Sequence, residues 1–388
     1  MLHRPVLSEW PILAFSFIAA ALGAGCGGDG DDGSPSGTDR QELFEQGPFD
    51  VGYRDITIRY AAAATAEERE LLLRVWYPAQ DESGAEPAIY TVDELEFVEV
   101  PAPFAFEAPP VTDEEGLPLA VYSHGNGGEG LLAYPYGELM ASHGWIVVAP
   151  NHRGNTAFDL LFDVADPFAR VALDRPYDLS AIIDELEGGL IGDELEGKAD
   201  TSRVYVIGHS FGGYSTFAAG GVDVDFDEIG DCDDPLSEDC MLLSDSEIEA
   251  AYRAGFGDPR VVAIAPQAPA LLAFPEEQLE QLEVPTLLMT GRLDQTTTQE
   301  ESAEPAWAGI DHPDDLWVEM PEGAHFSFVT ICHDLAPGVL VLFQPDAEED
   351  GCGEEFIPST ESVPVLAAYV LAFGRRHVLG ETQWDEVL

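Results

Sequence analysis

A serine flanked by glycines, Gly208-His-Ser-Phe-Gly212, follows the apolar run Val204-Tyr-Val-Ile207, and a helical pattern begins near Tyr214. Strand, tight turn and helix in that order make Ser210 a candidate nucleophile. Residues without side chains at 208 and 212 let the backbone fold sharply and push the hydroxyl upward. The helix amino terminus behind it favours developing negative charge. A serine hydroxyl is a weak nucleophile until a base takes its proton, so a histidine is required.

Of nine histidines, His325 in Pro321-Glu-Gly-Ala-His-Phe326 directly follows an apolar strand. A loop there, at the carboxyl edge of a sheet, would bring it over Ser210. His333 is the competitor, eight residues on and beside Cys332. His209 should be turned away from the serine, and His124 and His152 read as loop supports. The imidazole needs a carboxylate to hold its tautomer. Thr286–Thr290 reads as a strand that ends in Gly291-Arg-Leu-Asp294, which puts Asp294 on the next carboxyl-edge loop, in the order Ser, Asp, His. A turn-forming or helix-capping role is the plainer reading of that aspartate. Two backbone N–H groups must hold a tetrahedral oxyanion. Phe211, after the nucleophile, should supply one, and Asn126 in His124-Gly-Asn-Gly-Gly128 the other, with Gly127 as second choice. Together these residues describe acyl transfer through a covalent intermediate, with no cofactor and no metal.

The elements that must position them alternate. Residues 51–60 and Leu71–Tyr77 alternate in polarity and predict a hairpin at a sheet edge, followed by a Pro-rich acidic loop over about 78–116. Short apolar strands are expected at Pro118–Ser123, Trp145–Ala149, Arg203–Ile207, Val261–Ala265, Thr286–Thr290 and Leu316–Glu319. Helices are expected over 131–143 and Asp178–Leu186. Buried strands separated by helices imply a doubly wound, mostly parallel α/β sheet with an antiparallel edge hairpin, in one domain over residues 47–388.

Composition bounds the partners. The 388 residues carry 74 Asp+Glu against 16 Lys+Arg, a net charge of −58, and Lys198 is the single lysine. Nothing in such a chain could neutralise a polyanion, so nucleic acid is excluded as a partner. Hydrophobic residues at 45% are enough for a large core, which excludes a disordered acidic chain.

Residues 1–25 read as an export signal: a weakly basic start, the apolar run Ile12–Leu22, then small residues before Cys26. The run is shorter than the ~20 residues of a membrane span. Its end resembles a bacterial lipobox, which would make Cys26 the lipidated amino terminus and a membrane tether; plain signal cleavage is the alternative. Residues 26–46 are then a Gly/Asp/Ser tether. Cys232, Cys240, Cys332 and Cys352 remain, and four cysteines allow three pairings. The pairing 232–240 with 332–352 closes the shortest loops and suits an oxidising compartment. A zinc site lacks its Cys-x-x-Cys spacing. The insert 222–250 holds twelve acids and no base. It reads as a solvated, disulfide-stapled loop, with a lid, or a calcium loop through Asp223, Asp225, Asp227 and Asp234, as alternatives.

Several motifs in order resemble the α/β-hydrolase superfamily, and within it dienelactone-hydrolase-type and platelet-activating-factor-acetylhydrolase-like serine esterases. They are Gly47–Tyr53, Val75-Trp-Tyr-Pro78, Ser123–Gly127, Ala149–Asn155, Arg175–Asp178, Gly208–Gly213 and Gly323-Ala-His325. The resemblance implies that fold and ester hydrolysis with Ser210, Asp294 and His325 as the triad, acting on a small-molecule or lipid-like ester. The chain departs from the group in two ways. Dienelactone hydrolases use cysteine where Ser210 stands. The acetylhydrolases place their acid one strand earlier, where this chain reads Ala265-Pro-Gln-Ala268. A lipase or polyester hydrolase of the same mechanism, and a non-catalytic surface lipoprotein on the same fold, are the rival readings.

Overall fold

The computed structural model describes residues 41–80, 83–92, 95–188, 195–229, 236–272 and 274–388. The expected signal, the lipidation site Cys26, and Cys232 and Asp234 lie outside the described residues. Leu43, in the stretch expected as tether, is fully buried, and Gly47 N–H donates to Ser142 Oγ (2.9 Å). The chain therefore joins the body before residue 46.

Ten strands form one sheet among the described residues. They are β1 (Asp50–Ala61), β2 (Glu68–Ala79), β3 (Pro87–Val92), β4 (Leu95–Glu107), β5 (Leu117–Ser123), β6 (Ile146–Asn151), β7 (Ala199–His209), β8 (Val261–Gln267), β9 (Leu287–Gly291) and β10 (Leu316–Met320). Their order is β10-β9-β8-β7-β5-β6-β2-β1-β4-β3. From β6 to β10 every neighbour is parallel, while β2 runs antiparallel to both β6 and β1. Among the described residues four helices of nine or more residues cover the sheet: α1 (Tyr134–Ser142), α2 (Phe168–Glu187), α3 (Phe211–Gly220) and α4 (Ser359–His377).

Period-two alternation assigns the faces. Val204 and Val206 of β7 join Leu119 and Val121 of β5 in a core with Leu179 and Ile182 of α2 and Phe217 of α3. Tyr205 and Ile207, one residue out of step, join Ala120 and Tyr122 in the opposite core with Met140 of α1 and Leu371 of α4. Both faces are dry, so the central strands read as continuous apolar runs.

Two expectations are corrected. The stretch expected as a loop over 78–116 contains β3 and β4, which pair antiparallel and form the outer edge. The β1–β2 hairpin therefore sits inside the sheet. Proline at 101 and 103 argues against a central strand; both lie in β4, beside the outermost strand β3, in a stretch that precedes the Ala105–Glu107 segment paired with β1, so that side of the backbone needs no strand partner there. In the other correction, α2 begins ten residues before the expected Asp178. Pro176 within it, and the buried polar residues Asp174, Arg175 and Asp178, interrupt the apolar stripe that marks a helix.

The outer hairpin is tied down by a buried acid. Glu138 of α1 accepts Tyr90 Oη on Oε1 (2.6 Å) and Phe104 N–H on Oε2 (3.3 Å), and Trp76 Nε1 donates to Tyr90 Oη (2.9 Å). Burial, opposed by these bonds, raises the Glu138 pKa from 4.5 to about 7. Between those values the unfolded chain has released a proton that the folded chain keeps. The contribution of Glu138 to stability therefore falls as pH rises through that window, by about 3 kcal/mol in all. Glu138→Gln should flatten this part of the profile, read as the difference in urea midpoint between pH 4.5 and 7.5 in the two proteins.

Candidate active site

Ser210 sits between β7 and α3 with φ 57° and ψ −116°, a left-handed backbone that is unusual for a residue with a side chain. The turn is tight enough to demand glycine on both sides. A Cβ at Gly208 would lie 2.3 Å from Gly212 O, and one at Gly212 would lie 1.9 Å from Ser123 O. The Ser210 N–H donates to Gln267 O (2.9 Å) at the end of β8, which fixes the turn to the sheet.

From this turn Ser210 Oγ lies 2.9 Å from His325 Nε2, and His325 Nδ1 lies 3.0 Å from Asp294 Oδ2. All three side chains are buried. Asp294 also accepts Thr296 N–H (2.9 Å) and Thr297 N–H (2.6 Å) on Oδ1, and the Thr297 hydroxyl (2.8 Å) on Oδ2. A carboxylate with this many donors is held in one orientation. The strand before it, β8, ends in Gln267, a neutral side chain, so the carboxylate reaching His325 comes from the loop after β9.

Above Ser210 runs the loop after β5. A Cβ on Gly125 would meet Ser210 Cβ at 3.2 Å, so glycine lets the backbone lie against the serine. Among the described residues, neither Asn126 N–H nor Phe211 N–H has an internal acceptor. They are the two donors expected for an oxyanion.

The remaining histidines take other places. His209 Nε2 donates to His325 O (2.8 Å), away from the serine hydroxyl; burial, with His325 second, lowers its pKa to about 3 and keeps it neutral. His124 and His152 are buried behind the loop, where His152 N–H donates to His124 Nε2 (3.0 Å). His333 is exposed.

One participant had no signal in the sequence. Asp350, also buried, accepts Gln295 N–H (3.0 Å) and His325 N–H (3.2 Å) on Oδ1, and the Thr296 hydroxyl (2.7 Å) on Oδ2. It clamps the loop that carries Asp294 to the loop that carries His325. It lies two residues from Cys352, which is disulfide-bonded to Cys332 as expected. The other expected bridge, 232–240, includes a residue outside the described set.

A cavity of about 290 Å³ opens beside Ser210. Its walls are Val92, Val98 and Val100 of the outer hairpin, Leu131, and Leu335 and Phe343 of the disulfide-stapled segment. Among the described residues no lysine or arginine lines it, whereas Glu129, Asp334 and Asp346 do. The described residues of the insert 222–250 contribute nothing to these walls. Phe226, Ile248 and Tyr252 instead anchor it to the core beside α2. Among the described residues no three His, Cys, Asp or Glu side chains are grouped to hold a metal.

Comparison with known proteins agrees with this architecture. Residues 88–167 match the family described as platelet-activating factor acetylhydrolase, isoform II. Platelet-activating factor acetylhydrolase of Cavia porcellus is 26% identical over a match covering 43% of this chain and 49% of the relative. The chain thus spans about half the length of that curated relative. A ferulic acid esterase from Streptomyces cinnamoneus has a similar fold at 22% identity, with a TM-score of 0.61 covering 86% of this chain and 91% of the other. With its sheet order and its strand–Ser210–helix turn, this chain has the α/β-hydrolase fold and is similar, over part of its length, to the platelet-activating factor acetylhydrolases.

Proposed function

We propose that this chain hydrolyses carboxylic esters through an acyl-enzyme on Ser210. The observation that carries the reading is the unbroken hydrogen-bond series from Asp294 through His325 to Ser210, beneath two unpaired N–H groups. In the reaction, His325 Nε2 takes the hydroxyl proton as Ser210 Oγ bonds to the ester carbonyl carbon. The carbonyl π pair moves onto oxygen, where Phe211 and Asn126 N–H hold it. Asp294 keeps Nδ1 protonated and stabilises the imidazolium. Collapse breaks the bond to the alcohol, which leaves with the proton from His325. A water, deprotonated by His325, then attacks the acyl carbon; the bond to Ser210 Oγ breaks, His325 returns the proton to Oγ, and the acid leaves.

The apolar walls and the absence of cationic lining groups favour an uncharged apolar group on the ester and disfavour a carboxylate there. A fluorophosphonate probe should label the wild-type chain at Ser210. Among p-nitrophenyl esters, acetyl to hexanoyl substrates should outrun a succinyl half-ester. An unlabelled folded protein with no esterase rate would refute the reading and leave the non-catalytic lipoprotein.

A second reading, action on long lipids or polyesters, is favoured by the exposed side chains Leu160, Leu161, Phe162 and Val164. Leu160 reaches the loop at Gly127. Rates that keep rising beyond a dodecanoyl chain would select it.

The protein is further proposed to be exported and lipid-anchored through Cys26. The Cys332–Cys352 bond supports an oxidising compartment. Mass spectrometry of the mature amino terminus from a bacterial host tests the anchor.

A further inference from the structure

Five buried residues of the sequence motifs, Ser123, His152, Asp178, Arg175 and Asn155, take part in no step of that reaction. Three of them repeat its chemistry in a sealed place. Ser123 Oγ donates to His152 Nε2 (2.9 Å), and His152 Nδ1 donates to Asp178 Oδ2 (2.8 Å). All three are 0% exposed, so no ester can reach this serine. Burial alone would raise the Asp178 pKa, but Arg69, which donates through Nε to Oδ1 (2.7 Å), and His152 hold it well below the usual carboxylate range. Burial, then the Arg175 charge, lowers His152 to about 4. The imidazole is neutral and the series keeps one protonation state at neutral pH.

Arg175 carries this series to the open site. Its Nη2 donates to Ser123 Oγ (3.1 Å) and to His124 O, and its Nη1 donates to Asn155 Oδ1. Asn155 Nδ2 then donates to Asn126 Oδ1 (2.7 Å). The same guanidinium lies 4.7 Å over the Phe211 ring. One buried cation therefore touches both segments whose N–H groups face the oxyanion position.

We propose that this network, from Asp178 through His152, Ser123, Arg175 and Asn155 to Asn126, is the positioning device of the oxyanion hole. It holds Asn126 N–H in register with Phe211 N–H and acts on the transition state, not on ester binding. The inference rests on the ester-hydrolase reading and deepens it. The physical reason is that a hydrogen bond to a developing charge is worth most when the donor is already aimed, and a glycine-rich loop has no stiffness of its own. These are positioning residues; none touches substrate.

The test compares Asn155→Ala and Ser123→Ala with wild type on p-nitrophenyl butyrate. Each protein is also titrated with an alkyl trifluoromethyl ketone, which forms a tetrahedral adduct with Ser210, and with the matching secondary alcohol, which does not. The expected result is a fall in kcat of about 10- to 100-fold with KM within about twofold. Ketone affinity should fall in proportion to kcat/KM, and alcohol affinity should hold. An unchanged kcat in a folded variant would overturn the proposal. So would KM and alcohol affinity moving together with kcat. Ser123→Ala carries the comparison should Asn155→Ala fail to fold, and loss of the folded state in both would assign the network to stability alone. Ser210→Ala separates the two levels. If it keeps wild-type activity the parent reading fails. If it is inactive while Asn155→Ala matches wild type, only the positioning role fails.

Discussion

Ser210→Ala should lower kcat/KM for p-nitrophenyl butyrate by about a million-fold, with the melting temperature within a few degrees of wild type. The loss is large because the nucleophile, base and acid act as a unit, and what remains over water comes from the oxyanion donors and binding. Alanine keeps the Cβ that the turn already accommodates at φ 57°, so no new backbone strain arises. The variant should still bind the product acid or a substrate-shaped amide, because the apolar walls Val92, Val98, Val100, Leu131, Leu335 and Phe343 are unchanged. The measurement is an initial rate on protein free of wild-type carry-over, checked by fluorophosphonate labelling. Equal rates for the two proteins would remove Ser210 from the chemistry.

Asp294→Asn should lower kcat by about 10⁴-fold at neutral pH with little change in KM, and the geometry says why. Oδ1 accepts two backbone N–H groups, from Thr296 and Thr297, and no amide NH₂ can take that place. The asparagine oxygen must therefore occupy the Oδ1 position, which turns its NH₂ toward His325 Nδ1. Nδ1 then becomes an acceptor, the imidazole proton moves to Nε2, and Nε2 can no longer take the Ser210 proton. The variant should recover part of its rate as pH is raised, when hydroxide ionises the serine without help. Asp294→Ala, which presents no donor to Nδ1, should retain the usable tautomer in part of the population and lose less rate than Asp294→Asn. A ranking in the opposite sense would show that the charge of Asp294, and not the tautomer it selects, dominates.

Both variants were chosen on residues readable from the chain alone, and the reason is local. The turn at Ser210 is specified within a few residues: an apolar strand, two glycines whose Cβ atoms would strike backbone, and a helix. Once the sheet is parallel, loops after β9 and β10 must emerge on the same edge, which is how Asp294 and His325 come to Ser210. The outer hairpin was not legible. Its prolines and acids match a loop, and only the outermost place of β3 and the short β1–β4 pairing at Ala105–Glu107 make them compatible with strands. As a result the wall formed by Val92, Val98 and Val100, which bounds the cavity, was invisible in the sequence.

The same limit applies to the acids. With 74 Asp and Glu in the chain, identity carries no information about role. Asp294 stood out by its place after a strand, whereas Asp350, in an irregular acidic stretch, had no such marker. Arg175 and Asn155 were visible as motif letters, but their joint contact with the Asn126 loop and Phe211 depends on α2 passing beneath β5 and α3.

By itself, then, the amino-acid order determined the α/β architecture, the sharp turn at Ser210 and the three side chains of the hydrogen-bond series, because each rests on periodicity or on turn sterics within a short window. Tertiary structure alone decided the cavity walls, the Asp350 clamp and the buried network behind the oxyanion loop. Those depend on residues 20 to more than 200 positions apart meeting across a packed sheet, and a contact of that range leaves no pattern along the chain.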